Sequence, residues 1–119
     1  MDSRDVSREE FEDLVGEALD EVPAPMLDML DNVAFFVEDE PADGQGELLG
    51  LYEGTPLTQR YSDWGAPRLP DRILLFRGPL TRAFRDLDEL RHEIAVTIVH
   101  EMAHHLGIEE DRLHELGWG

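Results

Sequence analysis

His100 and His104 stand four residues apart, with Glu101 beside the first, in the stretch HEMAHHLGIEED that spans residues 100–111. On a helix this spacing leaves about 40° of rotation and roughly 6 Å of rise between the two side chains. Both imidazoles then reach one point beside the helix, and neutral imidazole is a good zinc ligand. Glu101 faces sideways from the pair, near enough to touch a water held there but badly placed to be a ligand. The chemistry this pattern points to is hydrolysis. A metal acidifies a water, and Glu101, as general base, takes the proton and hands it to a leaving amine. The expected ion is Zn2+, with another divalent transition metal as the alternative, because a hard ion such as Mg2+ does not favour a histidine pair.

A third ligand is needed, and the chain offers several. Gly107 is a natural helix terminator, since glycine adopts the left-handed conformation cheaply. A chain reversing there brings Glu110, ten residues after His100, back towards the metal. Asp111 is the adjacent alternative. His114 is chemically the better zinc ligand but needs a longer excursion. Around this set, Glu93 lies two turns before His100 on the same helix face and could accept a hydrogen bond from a ligating imidazole. His105 and Tyr52 are candidates for the rim of the site, Tyr52 and Tyr61 as donors to a developing oxyanion. For each of these the competing reading is ordinary: a solvated acid, a histidine bonded to a carbonyl, a tyrosine packed in the core.

These residues need a long helix to carry them. Asp86 followed by Glu89 is a capping box, and Ile94, Ala95, Ile98, Val99, Met102 and Leu106 continue as an apolar stripe. Glu93, Thr97, His100 and His104 occupy another face. The stripe predicts a helix over 86–106 with its apolar side on a core. Ser7 and Glu10 form a second capping box, and Phe11, Leu14, Val15, Ala18 and Leu19 follow at helical spacing. Pro23 and Pro25 end that helix, and Pro25 starts a short one through Leu30. Residues 32–37, 48–52 and 72–76 read as strands from their β-branched and aromatic content. Gly78-Pro79 reads as the end of the third. Residues 54–71 carry three prolines and no clean period, which predicts a long loop over the site. One more helical turn is expected over 111–116.

The composition bounds the rest. A chain of 119 residues with 41% hydrophobic and 32% charged content suits one globular domain over 1–119. No apolar run approaches the roughly 20 residues of a membrane helix. The first residues lack the layout of a signal peptide. With no cysteine, any metal must rest on His, Asp or Glu, and a cytoplasmic location is expected. The formal charge is −18, and residues 1–53 hold 17 acids against two arginines. So negative a surface repels phosphate backbones and excludes nucleic acid as the expected partner.

The residues also resemble a known family. HEMAHHLGIEEDRLHELGW (100–118) is similar to the signature of small bacterial zincin-like metallopeptidases, HExxHHxGxxD followed by Arg and Glu-Leu-Gly. GLYEGTPLT (50–58) and PDRILLFRGPL (70–80) resemble that family's GLYxGxPLT and PxxIxLYRxPL stretches. The resemblance implies an α+β minimal zincin fold, with a small mixed sheet of about three strands on an N-terminal helix and a long HExxH helix. It implies His100 and His104 as ligands and Glu101 as catalytic base. Its third ligand is an aspartate where this chain carries Glu110. Zincins take peptide substrates as an added strand along a sheet edge, which Leu48–Tyr52 or Ile73–Phe76 would supply here. The expected function is zinc-dependent peptide hydrolysis on a peptide or protein substrate. Its rivals are a catalytically silent metal-binding or interaction domain, and a closed structural zinc site.

Overall fold

A computed structural model describes residues 6–30, 33–54, 71–115 and 118, without the side chains of Met29 and Glu110. The expected loop over 54–71, apart from its two end residues, and Tyr61 within it lie outside the described residues. The elements in chain order are helix α1 (Arg8–Leu19), helix α2 (Ala24–Met29), strands β1 (Val33–Glu38), β2 (Gly50–Glu53) and β3 (Asp71–Phe76), then helices α3 (Arg77–Ala83), α4 (Leu87–Leu106) and α5 (Glu110–Glu115).

The sheet is mixed, in the order β1-β3-β2. β3 pairs parallel with β1, Phe35 facing Ile73, and antiparallel with β2, Tyr52 facing Ile73. β3 is therefore the central strand. Of the two segments considered as the substrate edge, the one that holds β2 is an edge strand among the described residues and Ile73–Phe76 is not. Ile73 and Leu75 are fully buried on the face that meets the helices.

Both long helices begin as their caps predict. The Ser7 hydroxyl oxygen accepts from the Glu10 backbone N–H at 3.1 Å, and the Asp86 carboxylate accepts from the Glu89 N–H at 3.1 Å. Phe11, Val15 and Ala18 of α1 and Leu90, Ile94, Ala95, Ile98, Val99 and Met102 of α4 close one core with the sheet. Leu106 departs from the expected stripe and is 51% exposed. It sits in the last turn, where α4 runs out. Gly107 follows with φ 77°, and the Ile108 N–H donates to the Ala103 carbonyl at 2.8 Å. This Schellman closure turns the chain into α5, whose Leu113 is fully buried.

The sequence reading missed α3. Gly78-Pro79 does end the strand, but a proline in a first helical turn sacrifices no needed donor, so the chain passes directly into a helix. Arg82 of α3 then binds the segment between β1 and β2. Its guanidinium donates to Glu40 at 2.7 and 3.0 Å and to Glu47 at 2.6 and 3.2 Å.

Candidate active site

α4 carries the histidine pair on the side that faces β2. The His100 and His104 ring centroids lie 6.3 Å apart with planes at 79°. Two imidazoles one helical turn apart are the donor chemistry that a borderline divalent cation accepts. Glu101 is 22% exposed and stands between the pair and the sheet. Its Oε2 lies 3.8 Å from His104 Nδ1, and its Oε1 accepts from the Tyr52 backbone N–H at 3.2 Å. One carboxylate oxygen is thus turned to the histidines while the edge strand holds the other.

The approach of β2 to α4 depends on Gly50. A Cβ there would lie 2.7 Å from Thr97 Cγ2 and 3.1 Å from the Leu74 carbonyl oxygen. Thr97 is itself fixed, its hydroxyl donating to the Glu93 carbonyl at 2.8 Å. Between the two elements opens a cleft of ≈ 280 Å³, lined by Glu47, Leu48, Leu49 and Gly50 on one wall and by α4 on the other. Glu93, Val96, Thr97, His100, Glu101 and His104 form the α4 wall.

The remaining expected residues are placed as follows. Glu93 lines the same cleft as His100, and at the His100 ring the Trp118 carbonyl meets Nε2, which donates to it in that tautomer. Trp118 is itself folded back, its N–H donating to the Leu113 carbonyl at 2.9 Å. Among the described residues no group of three acids or histidines gathers to hold an ion. Asp111 and His114 are exposed on α5. Glu110 opens α5, and its side chain lies outside the described residues. His105 does not line the cleft; one turn further along the helix than Glu101, it stacks on the Tyr52 ring at 4.0 Å and 17°. The Tyr52 hydroxyl donates to Asp71 Oδ2 at 2.7 Å. Asp71 escaped the sequence reading because it is a lone acid at the head of a strand, with no spacing signal to connect it to α4.

A model of zincin-like metallopeptidases matches residues 30–118. The chain belongs to that family. The motif helix, the whole sheet and the turn at Gly107 all fall inside the matched span of this zincin-like chain. Among solved structures, a conserved hypothetical protein from Thermo thermophilus aligns with a TM-score of 0.54 at 26% identity, over 85% of this chain and 94% of that one. No curated protein matches. Family membership supports a metallopeptidase, and zinc as its metal, in general terms. Among the described residues no helix is long and apolar enough to cross a membrane.

Proposed function

We propose that this zincin-like chain is a zinc-dependent metallopeptidase that hydrolyses peptide bonds, with Glu101 as general base. One observation carries the reading. The Glu101 carboxylate is anchored by the edge-strand N–H of Tyr52 and presents its second oxygen towards His104, on the wall of an open cleft. A general base needs that combination of a fixed position and access to the reacting group.

His100 and His104 hold the ion, Zn2+ by preference, with Glu110 as the third ligand and Asp111 or His114 as alternatives. When bound, the ion supplies Lewis acidity, polarising a carbonyl and making water acidic near neutrality. Glu101 takes one proton from the attacking water, the water oxygen bonds to the carbonyl carbon, and Glu101 passes that proton to the amine nitrogen as the C–N bond breaks, leaving a carboxylic acid and a free amine. The substrate is an extended peptide or protein segment laid along β2. The antiparallel register turns the backbone groups of Leu51 to β3 and those of Gly50 and Tyr52 outward, with the Tyr52 N–H already used by Glu101. Leu48, Leu49 and Val96 offer apolar contact to a substrate side chain. A cysteine-free chain suits a cytoplasmic enzyme, and that is the compartment we expect.

The test begins with metal analysis of protein purified without chelator and a peptide-library screen with zinc present. Cleavage that o-phenanthroline stops, and that Glu101→Gln lowers by about 10²–10⁴-fold while zinc stays bound, supports the proposal. Bound zinc with no cleavage of any library member favours the silent metal-binding domain. Cleavage that survives Glu101→Gln overturns the mechanism.

A further inference from the structure

The cleft explains the Gly50 end of β2. Further along the same helix-facing side of the sheet stand Tyr52, Asp71 and His105, from three different elements. The Tyr52 hydroxyl donates to Asp71 Oδ2 at 2.7 Å, and His105 Nε2 lies 4.0 Å from the same oxygen. The Tyr52 and His105 rings lie face to face at 4.0 Å. Gly54 closes over the group. A Cβ there would lie 3.0 Å from His105 Cε1 and 3.8 Å from Asp71 Oδ1. Asp71 is only 16% exposed, so its bond to the phenol is largely shielded from competing water.

The same residue that Asp71 grips also holds Glu101. Tyr52 binds Asp71 through its side chain and Glu101 through its backbone N–H. β2 is four residues long and, among the described residues, pairs with β3 alone, so a short ladder holds the Tyr52 peptide. A side-chain anchor on the central strand adds to that restraint. We propose that Asp71 is a positioning residue. By fixing the Tyr52 ring against β3 and His105 it sets the Tyr52 N–H, and through it the orientation of the Glu101 carboxylate. The catalytic part of this inference rests on the peptidase reading; the structural part does not.

Amide hydrogen exchange at Tyr52 in ¹⁵N-labelled, metal-free full-length protein tests the structural part. Asp71→Ala and Tyr52→Phe are each expected to speed exchange at Tyr52 about five- to tenfold, the worth of one lost hydrogen bond, with Ile73 and Leu75 amides unchanged. The double variant is expected to be no worse than either single one, because both remove the same link. Asp71→Asn keeps an acceptor oxygen for the phenol and is expected to restore near-native exchange. In active protein the same variants lower kcat with KM unchanged, in the same order. Unaltered exchange at Tyr52 in Asp71→Ala, or exchange raised equally along β2 and β3, overturns the proposal. If no peptide is cleaved by the native protein, the peptidase reading falls while the exchange result still decides the role of Asp71.

Discussion

At the scale of single residues, two glycines separate packing from propensity. Gly50 lies where β2 crosses α4, and a methyl group there meets both a side chain and the rigid Leu74 carbonyl. The threonine is held by its hydrogen bond to the Glu93 carbonyl, and the Leu74 carbonyl belongs to the sheet, so neither gives way readily. Gly50→Ala therefore pushes β2 off α4, destabilising the fold by about 1–3 kcal/mol, a usual cost of overpacking. It also draws the Tyr52 N–H from Glu101, so the peptide hydrolysis proposed for this site should fall by more than the melting temperature alone explains. Gly16 is the control. It lies inside α1, exposed, with nothing within 4 Å of a Cβ built on it. Gly16→Ala is expected to stabilise by about 0.5–1 kcal/mol through the helix preference of alanine. Thermal melts of both variants, with peptide hydrolysis for the first, check the pair. The histidine pair and Glu101 were legible in the sequence because helical periodicity is a local rule. Asp71 was not, because its partners Tyr52 and His105 are 19 and 34 positions away and only strand pairing brings them together.

Among the elements, α3 shows how a wall of the cleft is kept in place. Arg82 reaches back over 42 residues to Glu40 and over 35 to Glu47, and Glu47 lines the cleft. The N-terminus of α3 fits tightly against the same segment. The Gly78 N–H donates to the Asp39 carbonyl at 2.8 Å, and a Cβ at Gly78 would lie 2.7 Å from that oxygen. No local pattern announces these contacts, and the Gly-Pro pair reads as punctuation, so a helix with an anchoring role stayed hidden in the sequence. The caps at Ser7 and Asp86 and the stop at Gly107 were visible because each is decided within a few residues. The Arg82 guanidinium, mainly through its hydrogen bonds, holds the Glu40 carboxyl below the ordinary carboxylate value of 4.5. A carboxyl depressed in the folded state adds stability above its unfolded value and loses it as pH falls through the folded one. The pair is exposed and its contribution correspondingly modest. Arg82→Gln should lower the melting temperature slightly at pH 7, and the difference from the native chain should shrink to nothing as acid protonates Glu40. A gap that persists undiminished in acid would assign the effect of Arg82 to packing instead of to this ion pair.

For the whole molecule, charge is the dominant long-range term. The chain has 28 acids and ten arginines, so even complete pairing leaves 18 carboxylates without a cation. The pairs that form are mostly half-exposed: Arg72 with Glu53 at 2.6 Å, Arg77 with Asp39 at 3.0 Å, Arg112 with Glu115 at 3.1 Å. Such pairs contribute about 0–1 kcal/mol each, and salt screens them. Salt also screens the repulsion among the unpaired acids, which acts over longer distances and between many more pairs. Residues 1–53, with 17 acids, contribute α1 and β1, which pack on α4 and β3 from the less acidic half. Repulsion within the first half bears on α1 and β1 more than on the motif helix, whose Ile94, Ile98 and Val99 are fully buried. Net repulsion therefore outweighs the ion pairs, and the melting temperature should rise as NaCl is raised from about 10 mM to about 0.5 M, where the screening length drops to a few ångströms. The gain should be largest near pH 7, when all carboxylates are charged, and smaller near pH 5, where some are protonated. Melting curves over that grid of salt and pH decide the matter. A melting temperature that falls with added salt would mean that the arginine pairs, few as they are, outweigh the repulsion they sit in.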